Sequence, residues 1–288
     1  MKIKILGTAA AEGWPGIFCE CSVCQKARKL GGKNIRTRSS ILIGKEHKID
    51  FPPDTYLHLV KYNISFSRIK YLFITHAHYD HYNPSDLLMR RFPPFTRTPL
   101  PSLKIYGNSL AQRWTFDLLK IMERNFEKNF PLYNFEFQVV EPFKEFRAGN
   151  LRILPLLANH DKSQICYNYL FSTSHWSFLQ AFDTGWYPEE TWEKLKEIAS
   201  QKAFDLVIMD CTNGKIETGK KGGHLGIKEI IEMKKKLTSQ GNIKNNSRFI
   251  ATHFSHGGGL LHQELEKILL PEGIEVAFDG MEINLPER

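Results

Sequence analysis

The chain has 288 residues, 42% hydrophobic and 24% charged, enough to bury a substantial core; one domain over residues 1–288 is expected. No run approaches the roughly 18 apolar residues of a membrane span. The alternating start Met1-Lys2-Ile3-Lys4-Ile5 lacks the apolar centre of a secretion signal, so a cytoplasmic location is expected. The net charge of +8 suits an anionic substrate. A plain basic surface is the simpler reading, because Lys and Arg are spread along the chain.

Residues 2–6 alternate as a first strand, and the Gly- and Ala-rich stretch 7–16 is a loop. Cys19, Cys21 and Cys24 precede a short helix over 25–30 that stops at Gly31-Gly32. Residues 39–43 and 48–51 read as a hairpin around Gly44-Lys45-Glu46, and 56–62 as a helical stretch. The mostly apolar run 69–74 is a buried strand. It leads directly into Thr75-His76-Ala77-His78-Tyr79-Asp80-His81. Asn83-Pro84-Ser85-Asp86 then opens a helix, with Asn83 as N-cap and Pro84 as its first residue.

Four prolines hold 90–101 in an extended loop. A strand at 103–106 and a helix over 109–125 follow. The six phenylalanines of 126–147 read as strand and loop that pack into the core; a substrate pocket or a homodimer interface is the other use for them. Strands are expected at 151–157, 165–172 and 177–182, a helix over 188–200, and a buried strand at 206–209. The Gly- and Lys-rich stretch 212–223 is the candidate lid. A helix over 227–237, a polar loop over 238–247, a strand at 248–252, a helix over 263–270 and a last strand at 274–278 complete the chain. Strands clustered early and alternating with helices later fit a mixed α/β protein.

The stretch from His76 to His81 carries the chemistry. His76 and His78 are two apart on an extended segment, so both rings point to one side. Asp80 and His81 follow where the chain turns. Neutral imidazole nitrogens and carboxylate oxygens bind borderline metals such as Zn, Mn and Fe. Four such ligands exceed the need of one tetrahedral zinc, which suggests two metals side by side.

This stretch resembles the signature of the metallo-β-lactamase superfamily. Three later strand ends offer the remainder of that pattern: His160 in Ala158-Asn159-His160-Asp161, Asp183 in Phe182-Asp183-Thr184-Gly185, and His253 in Ala251-Thr252-His253-Phe254. The resemblance implies an α/β fold, the αβ/βα four-layer sandwich. It also implies that His76, His78 and His160 hold one metal, that Asp80, His81 and His253 hold the other, and that Asp183 bridges them. The Cys19, Cys21, Cys24 triplet, Arg36-Thr37-Arg38-Ser39-Ser40 and the two final histidines resemble more narrowly the PhnP-type cyclic phosphodiesterases. That branch implies a structural zinc on Cys19, Cys21, Cys24 and His256. It also implies His224, in Gly222-Gly223-His224-Leu225-Gly226, as a catalytic residue acting on substrate, with Asp80 catalytic beside its ligand role. Asp54 and Asp86 are the expected orienters of the ligating imidazoles. Cys166 and Cys211 read as core residues, and His47, His58, His175 and His262 have no ligand-like context.

The implied function is a metal-dependent phosphoric diester hydrolase. It would use two divalent ions (Zn or Mn, alternatively Fe) and one structural zinc, on a small anionic phosphodiester, cyclic ones included. Asp183, where β-lactamases carry a cysteine, points away from lactam hydrolysis. Lactone or thioester hydrolysis by the same site stays open. So does an oxidative biosynthetic role like that of PqqB, which this branch also resembles. A nuclease or nucleic-acid-binding role ranks lower, because no long basic insertion is evident.

Overall fold

The computed structural model describes residues 1–286. The strands run in chain order as β1 (Lys2–Gly7), β2 (Ser40–Ile43), β3 (His47–Ile49), β4 (Tyr71–Phe73), β5 (Leu103–Gly107), β6 (Phe135–Val139) and β7 (Phe146–Ala148). They continue as β8 (Leu151–Leu157), β9 (Tyr167–Ser172), β10 (Ser177–Ala181), β11 (Phe204–Asp210), β12 (Ile243–Thr252), β13 (Glu275–Val276) and β14 (Glu282–Asn284). The helices are α1 (Ser22–Leu30), α2 (Thr55–Tyr62), α3 (Ser109–Met122), α4 (Phe126–Asn129), α5 (Glu189–Ala199), α6 (Ile227–Ser239) and α7 (His262–Leu269).

The strands form two seven-stranded sheets, ordered β14-β1-β2-β3-β4-β5-β6 and β13-β12-β11-β10-β9-β8-β7. Strand periodicity decides which side chain enters which layer. Ile3, Ile5, Ile41, Ile43, Ile49 and Phe73 face between the sheets, where they meet Leu206, Ile208 and Ile250. Their neighbours Leu6, Leu42, Leu72 and Ile105 face outward to α3, α4 and the 3₁₀ turn Pro84–Arg90. In the second sheet Val207, Met209, Phe249 and Ala251 face outward to α5, α6 and α7. Two sheets with helices on both outer faces make the expected four layers.

Several boundaries differ from the sequence expectation. Residues 238–247 are not all loop: β12 begins at Ile243, because Ile243 pairs with Phe204 before the register shifts. Residues 274–278 do not hold the last strand. β14 follows and closes the first sheet by pairing antiparallel with β1, Ile3 opposite Ile283. The chain after Asn83 forms a 3₁₀ turn, capped as expected by Asn83 accepting from Ser85 N. The phenylalanines of 126–147 are core: Phe126, Phe130, Phe135 and Phe137 pack with Phe116 under the first sheet.

Phe73 sits at the centre of the inter-sheet layer. It is fully buried, stacked on Tyr106 at 5.4 Å and edge-on to Phe171 at 5.1 Å. Phe73→Ala should cost about 3–5 kcal/mol of unfolding free energy, read as a lowered urea midpoint.

Candidate metal centre

All the candidate ligands leave the same edge of the sandwich. β3 and β4 are parallel, as are β10, β11 and β12. Two antiparallel steps give β8 the direction of β10. Their carboxyl ends therefore deliver Asp50, the His76–His81 segment, His160, Asp183, Asp210 and His253 to one place. In open α/β sheets that end is where ligands bind.

The structure brings together ligand atoms of His76, His78 and His160, of His76, His81 and Asp183, and of Asp80, His81 and His253, each set within 4.8 Å. His76 Nε2 lies 2.9 Å from His78 Nδ1, His160 Nε2 3.1 Å from the same atom, and His81 Nε2 3.2 Å from His253 Nε2. Asp183 spans the two groups. Its Oδ1 is 4.0 Å from His160 Nε2, and its Oδ2 faces His253 Nε2 at 3.2 Å and contacts His81 Nε2. Asp80 Oδ2 is 3.1 Å from His81 Nε2.

The opposite nitrogen of each ring shows why these atoms suit a metal. His81 Nδ1 donates to Asp50 Oδ2 at 2.7 Å, and His78 Nε2 to Asp161 Oδ2 at 3.1 Å. His253 Nδ1 donates to Thr212 Oγ1 at 2.8 Å, which donates on to Asp210 Oδ2 at 3.0 Å. His76 Nδ1 donates to Thr75 Oγ1 at 3.0 Å, which donates on to Asp50. His160 Nδ1 donates to Gly223 O at 3.2 Å. Each neutral imidazole has one proton, and each spends it outward. The other nitrogen of each of the five rings faces inward, open to a metal when the ring is neutral. Asp183 Oδ2 is buried with no hydrogen-bond partner. Imidazole nitrogens and carboxylates so gathered fit divalent ions, whose charge would replace the proton that the carboxylates favour on His81.

The electrostatics follow from burial and neighbours. Burial pushes His76 well below the usual imidazole range, and His160 below it. Burial also opposes charge on His81, but Asp183, Asp80 and Asp50 overcome it and raise its pKa well above normal. Burial alone would raise the Asp183 and Asp80 carboxyls. The surrounding histidines outweigh it and hold both carboxylates below their ordinary range.

Backbone strain gathers here. Of six described non-glycine residues with positive φ, Asp50 (56°), Asp183 (53°) and His253 (60°) belong to this edge. Such conformations persist where surrounding structure over-determines them. Gly185 is required for a different reason. A Cβ there would lie 1.7 Å from Gly222 O, so its absence lets the Asp183 loop meet the segment bearing His224.

His224 packs against the centre. Its ring stacks on His253 at 5.6 Å and meets His160 edge-on at 4.7 Å. Its Nδ1 donates to Asp210 Oδ2 at 2.9 Å. Burial opposes its charge, but Asp210 prevails and raises the pKa to about 9. The segment before it is pinned, since Thr218 N and Gly219 N donate to Glu229 Oε1 at 3.1 and 2.8 Å.

The expected orienters Asp54 and Asp86 do not reach the imidazoles. Asp54 accepts from Arg38 N at 2.7 Å and Arg38 Nη1 at 3.2 Å, and Asp86 lines a cavity beside α2. Asp50, Asp161 and Asp210 do that work. In sequence Asp50 and Asp210 sit where strands 48–51 and 206–209 end and Asp161 follows His160, which does not by itself set them apart from Asp54 and Asp86.

The second cluster joins Cys19, Cys21, Cys24 and His256, with ligand atoms within 4.8 Å of one another. His256 Nδ1 lies 3.7 Å from Cys19 Sγ and 3.6 Å from Cys21 Sγ. Helix α1 starts at Ser22, earlier than expected, because Cys21 caps it by accepting from Cys24 N at 3.5 Å. That backbone hydrogen bond lowers the Cys21 thiol to about 6, while burial raises Cys24 to about 11. Glu12 supports the imidazole from outside, its Oε1 3.6 Å from His256 Nε2. Three free thiols and one imidazole fit a closed tetrahedral zinc. Cys166 and Cys211 are buried elsewhere. No described helix is long and apolar enough to cross a membrane.

A protein-family model described as Anti-Pycsar protein Apyc1 matches residues 37–243. Sequence comparison with curated proteins finds no match. Among solved structures, the chain is similar to a new diphosphatase from the PhnP family. Identity is 22% and the TM-score 0.73, over 99% of this chain and 98% of that one. It is similar to Zn(2+)-bound PqqB from Methylobacterium extorquens at 18% identity and TM-score 0.73, over 99% and 100%. It is also similar to the metallo-β-lactamase fold protein YhfI from Bacillus subtilis at 15% identity and TM-score 0.66, over 98% of each chain. At such identities the likeness is one of fold, and the fold is that of the metallo-β-lactamases.

Asp161 is the orienter most open to substitution, with its side chain 23% exposed. Asp161→Ala should lower affinity for one metal about 10–100-fold with the melting temperature of the metal-free protein little changed, as read by metal titration and thermal unfolding. Cys21→Ser should lower zinc content and thermal stability more than turnover, measured by elemental analysis, calorimetry and assay on one preparation.

Proposed function

The chain belongs to the family of the anti-Pycsar protein Apyc1, and from that membership we propose that it is a metal-dependent phosphodiesterase acting on small phosphodiesters, cyclic ones included. One observation carries the reading: nitrogens of five imidazoles and the Asp80 and Asp183 carboxylates converge in overlapping groups at one edge of the sandwich. The likeness to a PhnP-family diphosphatase supports phosphoryl chemistry over a lactam or thioester.

His76, His78 and His160 would hold one ion, and Asp80, His81 and His253 the other, with one Asp183 oxygen to each. Two divalent ions so held supply positive charge against phosphoryl oxygens and a water acidic enough to attack phosphorus at neutral pH. The remaining work belongs to the chain. Asp80 contributes as a permanently ionised ligand. His224 donates through Nδ1 to Asp210, which leaves Nε2 to carry a second proton. As the bond from phosphorus to the leaving oxygen breaks, that oxygen takes the Nε2 proton, and Asp210 balances the imidazolium until then. The cysteine cluster with His256 is assigned to a structural zinc. Its free thiols suit a reducing compartment such as the cytoplasm.

Asp183→Ala should abolish metal-dependent cleavage of bis(p-nitrophenyl) phosphate while circular dichroism stays native; unchanged turnover would sink the bridging role. His224→Ala should cut kcat by about 10²–10⁴-fold with both active-site metals retained. Loss of metal in that variant would make His224 a ligand instead.

A further inference from the structure

A second feature lies outside the first sheet, away from the metal ligands. A cavity of about 590 Å³ opens between α2 and the 3₁₀ turn Pro84–Arg90, with an apolar wall that includes Phe51, Leu59, Phe66, Leu72 and Leu87. One charged side chain on that wall is only 1% exposed, Lys48. Strand alternation puts it there: His47 packs on Phe73 between the sheets, Ile49 joins the same layer, and Lys48 between them turns outward.

Lys48 Nζ donates to Ser40 Oγ and to Asp50 O at 2.6 Å. It lies 5.5 Å from the ring centroids of Phe51 and of Phe66, both cavity residues. Both hydrogen-bond partners are neutral, and among the described residues no carboxylate forms an ion pair with it. The nearest acid, Asp50, has its carboxylate occupied by His81 and Thr75. Burial pushes the Lys48 ammonium down to about 7, against the pull of Asp50. A buried cation without a counter-ion is costly, and an anion entering the cavity would relieve it.

The wall decides which anion. Arg90, the other cation there, is held by the carbonyls of Tyr133, Pro101 and Asn134. Asp86 stands on the same wall and disfavours a second negative charge. One negative charge and an apolar body are what the space accepts. We propose that this cavity binds an amphipathic monocarboxylate, its head group on Lys48 Nζ and its hydrocarbon or aryl body along Leu59, Phe66 and Leu87.

Isothermal titration of the full chain with octanoate, octanol and octylamine tests this, with inorganic phosphate present to occupy the metal centre. The expectation is one octanoate per chain, octanol at least about tenfold weaker, and octylamine weaker still. Lys48→Met keeps the length, removes the charge and should bring octanoate to the level of octanol or below. Met89→Trp, at the half-exposed mouth, should weaken octanoate as well, and it serves if Lys48→Met does not fold. The proposal is overturned if octanoate and octanol bind alike, if octylamine binds tightest, if octanoate shows no saturable binding, or if Met89→Trp leaves octanoate binding unchanged.

Discussion

Five imidazole rings that each turn one nitrogen toward the same edge are the constraint on which the rest of this structure depends. Gathering so many polar rings at one buried edge needs support. It is held because every ring is fixed from behind, by Asp50 for His81, Asp161 for His78, Thr212 for His253, Thr75 for His76 and the Gly223 carbonyl for His160. Two carboxylates, Asp50 and Asp210, stand behind the rings. They take up protons' worth of positive charge behind the rings, and Asp210 does so for His253 and His224 together.

That backing requires the two sheets to end at the same edge. The first sheet supplies Asp50 and the His76–His81 segment; the second supplies His160, Asp183, Asp210 and His253. Neither sheet carries a complete ligand set. The layer between them, with Phe73, Phe171 and Phe178 on its axis, is therefore what sets the distance between half-sites. The same rigidity sustains left-handed backbone at Asp50, Asp183 and His253, each worth about 1–3 kcal/mol of strain. A looser sandwich would relax those residues and scatter the ligands.

The convergence of the candidate ligands was legible in sequence because each is a polar residue placed at the end of an apolar run, an arrangement that core packing alone does not call for. The order of strands and helices marked only a mixed α/β protein, and the four layers were expected from the family resemblance alone. The orienting acids were not legible. Asp54 and Asp86 look no different in sequence from Asp50 and Asp161, and choosing among them requires knowing which strands are neighbours. β14 was missed because three residues near the end of the chain carry too little pattern, and only pairing with β1 makes them a strand. The early start of β12 was hidden by the polar run around Asn245 and Asn246, where the register shifts.

The turn from His253 to His256 links the two metal-binding clusters physically. His253 enters it with a φ of 60°, and its ring is held by Thr212. Three residues later His256 faces the cysteines. Between them Phe254 N donates to Thr8 O at 2.8 Å, and Ser255 Oγ donates to Glu12, the residue that also backs the His256 ring. The stretch between β1 and α1 is thus tied to both ends of one short turn. The cysteine cluster is therefore joined through the backbone to the edge that gathers the histidines.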